Sequence, residues 1–268
     1  MISLPLLWHT WRTHRVRLAI VSLSLAVWAF LMPVIYATFG REMEVMLESG
    51  IIPEAFLSLM GADPFSLDGS VALGAVHPFA IALQVVYPVG FAAAAIAGER
   101  QRGTLEVLLS RPLSRRTLFR TLLVATIAAA AITTVATTLG TVAGAALYDV
   151  VGGLDIGEQA LLGLNTVLLL AALGGISLAA SASFDRLTPA LGIALAVTLL
   201  GYVLEILGTL WPDAAFLQPY SLFHYLRPLE ILGGEANLGD LLVLAGVLAA
   251  STAYGLWRFP RRDLAAPT

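Results

Sequence analysis

Apolar residues gather into six runs, separated by stretches rich in charge, proline and glycine: about Val16 to Phe39, Val76 to Ala97, Leu118 to Leu147, Gln159 to Ala180, Leu187 to Leu210 and Leu241 to Trp257. About 20 residues at a rise of 1.5 Å cross a hydrocarbon core of about 30 Å, so each run is close to spanning length. The pattern predicts an all-α polytopic membrane protein with six transmembrane helices, forming a single domain over residues 1–268. The first run outlasts the h-region of about 7 to 15 residues in a signal peptide, and no small-residue cleavage site closely follows Tyr36, so it is expected as a retained helix. The third is long enough to tilt or to protrude from the bilayer.

The stretches between the runs are expected to be ordered. Leu4 to Arg12 mixes leucine and tryptophan with a basic end, the pattern of a short interfacial helix, so residues 1–15 are expected as an amphipathic elbow on the inner leaflet. A plain tryptophan anchor for the first span is the other reading. Residues 40–75 read as an acidic outer loop with helix-like pieces and turn signals at Gly61 to Pro64 and at Asp68-Gly69. Residues 211–239 carry apolar patches too short to span, punctuated by Pro212, Pro219 and Pro228, which suits short re-entrant or interfacial outer helices between spans five and six.

Composition strengthens the membrane assignment. The chain is 58% hydrophobic and 12% charged, against about a quarter charged in an average soluble domain. All 15 basic residues are arginine. Without lysine there is no P-loop ending in G-K-[ST] and no Schiff-base amine, and without cysteine no disulfide, thiolate metal site or thiol nucleophile. Placing the N-terminus inside puts 13 of the 15 arginines in the cytoplasm, leaving Arg41 and Arg227 outside, while 13 of the 18 acids fall outside. Cytoplasmic loops accumulate arginine and lysine, so both termini are expected in the cytoplasm.

Ionisable or amide groups within spans are expensive and often functional. Glu205, His77 and Gln84 are therefore the candidate pathway residues. Glu205 lies near the outer end of span five, where a bond to the outer short helices explains it equally, and His77 sits at the outer interface. The threonines from Thr133 to Thr141 are expected to bond across helices, and Gly140 and Gly144 form a G-x-x-x-G.

The inner loop at 98–117 is the most informative segment. Glu99 and Arg102 stand three apart, and Arg102 and Glu106 four apart, so on helical backbone they pair along one face. Gly103 permits a bend. Leu105, Leu108 and Leu109 at helical spacing predict a stubby helix over Thr104 to Leu109, ended by Pro112, with Ser114 as N-cap of the third span. Its apolar side either rests on the membrane and the bundle or meets a partner surface.

The string from Glu99 to Arg115, E-R-Q-R-G-T-L-E-V-L-L-S-R-P-L-S-R, resembles the signature of ABC-2 type transporter permeases, E-x-x-x-G-T-L-E-x-L-L-x-x-P-[LV]-S-R after the second span. The ending Phe259 to Leu264, F-P-R-R-D-L, resembles the F-x-R-R-D-L close of that family, and Ser221 to Tyr225 falls where it has short helices. The resemblance implies a non-catalytic exporter subunit in the cell (plasma or inner) membrane. It would pair with a second copy or a paralogue around a pathway for amphipathic or hydrophobic substrate, and ATP and Mg would be bound by separate ABC ATPase subunits. It implies no cofactor, metal or catalytic residue in this chain, and no nucleic-acid partner. Carried over by position, Glu99, Arg102, Gly103, Thr104, Leu105, Glu106, Leu108, Leu109, Pro112, Ser114 and Arg115 are the ATPase-coupling residues, with Gly103 the bend, Thr104 to Leu109 the docked face, and Glu99 and Glu106 polar contacts. The alternative is an ATP-independent channel or secondary carrier, which calls for several buried charges or an inverted repeat, neither evident here. An intramembrane enzyme finds no H-E-x-x-H, no G-x-S-x-G and no paired intramembrane aspartates.

Overall fold

A computed structural model describes residues 2–48, 66–111 and 113–263, the side chains of 41–48 excepted. Fifteen leucines, isoleucines and valines on one long helix need somewhere to go, and the first helix shows where. Helix α1 spans Leu4–Glu48. Val16, Ile20, Leu23, Val27, Leu31 and Ile35, spaced by three or four residues, are exposed, while Leu18, Leu25, Ala29 and Met32 on the opposite face are buried. An exposed apolar stripe of this length faces lipid.

The remaining helices are α2 (Leu67–Val76), α3 (Pro78–Ala94), α4 (Ala97–Gln101), α5 (Leu105–Leu109), α6 (Arg115–Leu147), α7 (Ile156–Ser183), α8 (Leu187–Leu210), α9 (Pro228–Leu232) and α10 (Leu238–Arg261), with 3-10 turns at Val151–Gly153, Pro212–Tyr220 and Phe223–Tyr225. Among the described residues five helices are long and apolar enough to cross a membrane, and α2 with α3, bent by 50°, makes a sixth when the pair is taken as one span. At 33 residues, α6 is about 50 Å long, which matches the protrusion or tilt expected of the third run. Helix α7 is the central post: it packs on α3, α6, α8, α9 and α10, and 67% of its apolar window is buried, against 17–33% for the other four.

Three expectations are corrected. The elbow over 1–15 is no separate element, because α1 runs unbroken from Leu4. No glycine or proline lies between Trp8 and Arg17 to interrupt the hydrogen-bond ladder. The outer loop at 40–75 is helical at both ends, with α1 reaching Glu48 and α2 starting at Leu67 behind the N-cap Ser66; residues 49–65 lie outside the described residues. The second span is broken rather than straight. Pro78 has no N–H to give the Gly74 carbonyl four residues back, and the Trp28 indole N–H takes its place at 2.9 Å. The Phe79 N–H turns to His77 Nδ1 at 3.2 Å, leaving the Ala75 carbonyl without its helical donor.

The closest crossing is α1 on α6. A Cβ on Gly140 would stand 2.1 Å from the Ala26 carbonyl oxygen, and one on Gly144 2.2 Å from that of Phe30, so the G-x-x-x-G is a backbone-to-backbone contact. Two apolar clusters hold the bundle. One gathers Leu67, Leu154, Phe223, Ile231 and Leu232 with α7 at the end carrying the short helices. The other joins Leu6, Ile96, Leu105, Leu118, Phe119 and Phe259 at the arginine-rich end, so the start of α1, the 98–117 loop and the end of α10 share one end of the molecule.

Candidate functional site

The arginine-rich end is assembled around the joint where α3 passes into α4. The first backbone N–H groups of a helix have no intrahelical partner. Here those of Ile96 and Ala97 are donated to the Ser181 hydroxyl of α7, at 3.0 and 2.9 Å. Gln101 Oε1 in turn accepts the N–H of Leu187, at the start of α8, at 2.8 Å. Arg100 Nε meets Asp185 Oδ1 at 2.7 Å, and Arg262 bonds the same carboxylate oxygen as well as the carbonyls of Ala182 and Phe184. One carboxylate in the α7–α8 turn thus joins α4 to the end of α10. Burial pulls the Arg262 pKa below its ordinary value, with the Asp185 charge opposing it.

The turn after α4 closes on itself. Gly103 has φ +71°, a left-handed conformation that glycine adopts without penalty. Its N–H donates to the Arg100 carbonyl at 2.9 Å and the Thr104 N–H to that of Glu99 at 2.9 Å, the paired 5→2 and 6→1 bonds of a Schellman motif. The Thr104 hydroxyl donates to Glu99 Oε2 at 2.5 Å, and Arg102 pairs with the other oxygen of that carboxylate. Glu99, Arg102, Gly103 and Thr104 are therefore brought together, but as an internal staple. The Glu99 carboxylate is thus bonded within the chain, and Arg102 pairs with it, no bond from Arg102 to Glu106 being found among the described residues.

Helix α5 divides by face. Leu105 is 2% exposed and packs with Ile96, Leu118 and Phe119, while Leu108 and Leu109 lie half-buried against the same cluster. The expected docked face thus turns these three leucines toward the protein's own core. Glu106, Val107, Ser110 and Arg111 point outward, Val107 being 64% exposed. Ser114 caps α6 as expected, accepting the Thr117 N–H at 3.1 Å. Arg115 donates to the carbonyls of Arg262 and Pro260, at 2.5 and 3.3 Å, so it clamps α10 rather than facing out. Pro112 lies outside the described residues.

The family whose model matches the chain over residues 6–264 is described as ABC-2 family transporter protein. The chain belongs to the ABC-2 transporter family. Members are membrane subunits rather than ATPases, and membership implies association with ABC ATPase subunits and a multi-pass membrane protein. The comparison with curated proteins finds no match.

The intramembrane candidates of this ABC-2 family member do not form one path. His77 is the N-cap of α3 and lies against Trp28, ring centroids 4.8 Å apart. Gln84 is 4% exposed and faces a small pocket between α1, α2, α3, α6 and α7. Glu205 is held by the short pieces between α8 and α10: Gln218 Nε2 donates to its carboxylate at 3.2 Å, and His224 Nδ1 stands 3.6 Å from it. Arg227 Nη2 lies 3.0 Å from His224 Nε2. Arginine only donates, so Nε2 accepts and the ring proton sits on Nδ1, toward Glu205. The sequence gives no role to Ser181, Asp185 or Arg262, although Asp185 is the sole acid of the α7–α8 connection and Arg262 lies in the F-P-R-R-D-L ending.

Proposed function

We propose that the chain is the permease subunit of an ABC exporter. With a second copy or a paralogue it forms the pathway for an amphipathic or hydrophobic substrate, and α5 is the surface on which separate ATPase subunits act with ATP and Mg. The orientation that goes with this reading places both termini and the arginine-rich end in the cytoplasm of a plasma or inner membrane. The observation that carries it is the outward edge of α5, Glu106, Val107, Ser110 and Arg111, standing on a turn fixed by its own hydrogen bonds. An exposed valine between a carboxylate and a guanidinium suits a protein groove with an apolar floor and a polar rim. The joint behind it connects directly to α3, α7, α8 and α10, so a push on α5 reaches four crossings.

The test is reconstitution with the ATPase encoded beside it. Val107→Arg and Glu106→Arg should still insert and fold, because neither side chain is buried, yet lose ATPase association several-fold and uncouple hydrolysis from transport. Normal coupled transport by both variants refutes the docking role. Cargo movement in vesicles lacking any ATPase refutes the permease reading as a whole, in favour of a carrier.

A further inference from the structure

Beneath the break between α2 and α3 lies a pocket of about 40 Å³, reached by Met32 of α1, Gly74 and Ala75 of α2, Gln84 of α3, Thr134 of α6 and Gln159 of α7. Among the described residues no side chain on its wall is ionisable. Two of the polar groups are nine-tenths buried and unanswered: Thr134, 7% exposed, and Gln159, 6% exposed, present Oγ1 and Nε2 with no hydrogen-bond partner. The contrast with the neighbouring threonines is informative. Thr137, Thr138 and Thr141 on α6 and Thr166 on α7 all donate to the carbonyl four residues back, whereas Thr134 does not. Ala75, whose carbonyl loses its helical donor at the break, belongs to the same wall.

We propose that this pocket is a hydration site within the membrane, binding a cluster of about three waters, since one water needs about 10–15 Å³ of such space and two to four polar partners. The lining supplies both signs of hydrogen bond: the Gln159 amide donates, the Ala75 carbonyl accepts, and the Thr134 hydroxyl does either. Size excludes a transported molecule, and the absence of a charged wall group excludes a bare ion as the resident ligand. The waters complete the hydrogen bonding that Pro78 interrupts. The bend of the second span is thereby held by exchangeable partners on one side and by the Trp28 indole on the other.

Met32 reports on the pocket. It is 7% exposed and its side chain packs against Gly74, where a Cβ would stand 2.5 Å from Met32 Cγ. X-ray radiolysis turns a bound water into a hydroxyl radical that adds to an adjacent thioether sulfur, and dissolved oxygen takes the second electron to complete the sulfoxide. In lipid nanodiscs, Met32 should be converted to the sulfoxide at a rate comparable to that of Tyr220, 80% exposed, and Thr134→Leu should lower the Met32 rate several-fold with Tyr220 unchanged. A wild-type Met32 left intact at doses that label Tyr220 overturns the proposal. A second measurement does not depend on the filling variant. Thr134→Val combined with Gln159→Leu should lower the thermal midpoint if waters bond these groups. A raised midpoint means the groups were dry and unsatisfied, and also overturns it.

Discussion

Replacing Ser181 by alanine removes one hydroxyl and orphans two donors. Ser181, Ile96 and Ala97 are each fully buried, so no water can take over the N–H groups now bonded at 3.0 and 2.9 Å. Leaving a buried donor unsatisfied costs about 1–3 kcal/mol, and two of them about 2–5 kcal/mol after partial relaxation. The loss falls on the α3–α4 joint, because α4 is only five residues long and is held to α7 through this hydroxyl. Hydrogen exchange of the 95–104 segment in nanodiscs reads it directly: at 1.4 kcal/mol per tenfold, the lower bound is an increase of about 30-fold in exchange rate. Ser183→Ala is the control. Its hydroxyl donates within α7 to the Ala179 carbonyl at 2.8 Å, and its removal should leave the segment unchanged. Exchange of 95–104 at the wild-type rate in Ser181→Ala refutes the claim that the α7 hydroxyl holds this segment.

The glycine crossing and the outer histidine give two further expectations. Gly140→Ala with Gly144→Ala forces α1 and α6 apart by roughly 1 Å, costing about 1–3 kcal/mol per site; an unchanged midpoint in denaturant titration in mixed micelles refutes the backbone contact. Burial, and then the Arg227 charge, lowers the His224 pKa from its ordinary 6.5, against opposing pulls from Asp240 and Glu230. The folded form therefore binds the proton less readily than the unfolded chain, so stability is complete above pH 6.5 and declines as pH falls below it toward the lowered native value. His224→Gln should flatten that decline in thermal midpoint between neutral and mildly acid pH, and an equal slope in both proteins shows the histidine is not its source.

Crossings were legible where apolar runs are long: the third, fourth and fifth runs lie within α6, α7 and α8, because nothing in those runs competes with the helix. The second was misplaced because its signal is spread over two helices. Leu67 to Val76 reads as loop while Asp68-Gly69 is taken for a turn, yet Ser66 caps a helix there and Pro78 only bends it. In the 98–117 loop, Gly103 and Ser114 act as their residue types require. Glu99, Leu105 and Arg115 are carried over by the resemblance, while spacing gives a face without saying which way it turns. The partners that decide it, Phe119, Asp185 and Arg262, are distant in sequence.

The Schellman turn at Gly103 also has a mechanical meaning. Its bonds are made within the chain, so a body pressing on α5 does not first have to order it. In a transmission, motion lost while parts settle into contact is backlash. A segment that stiffens only when touched would absorb the first part of each stroke. Here the five residues of α5 stand on a closed ring of hydrogen bonds, and under the proposed docking role displacement at Val107 would be passed on with little play.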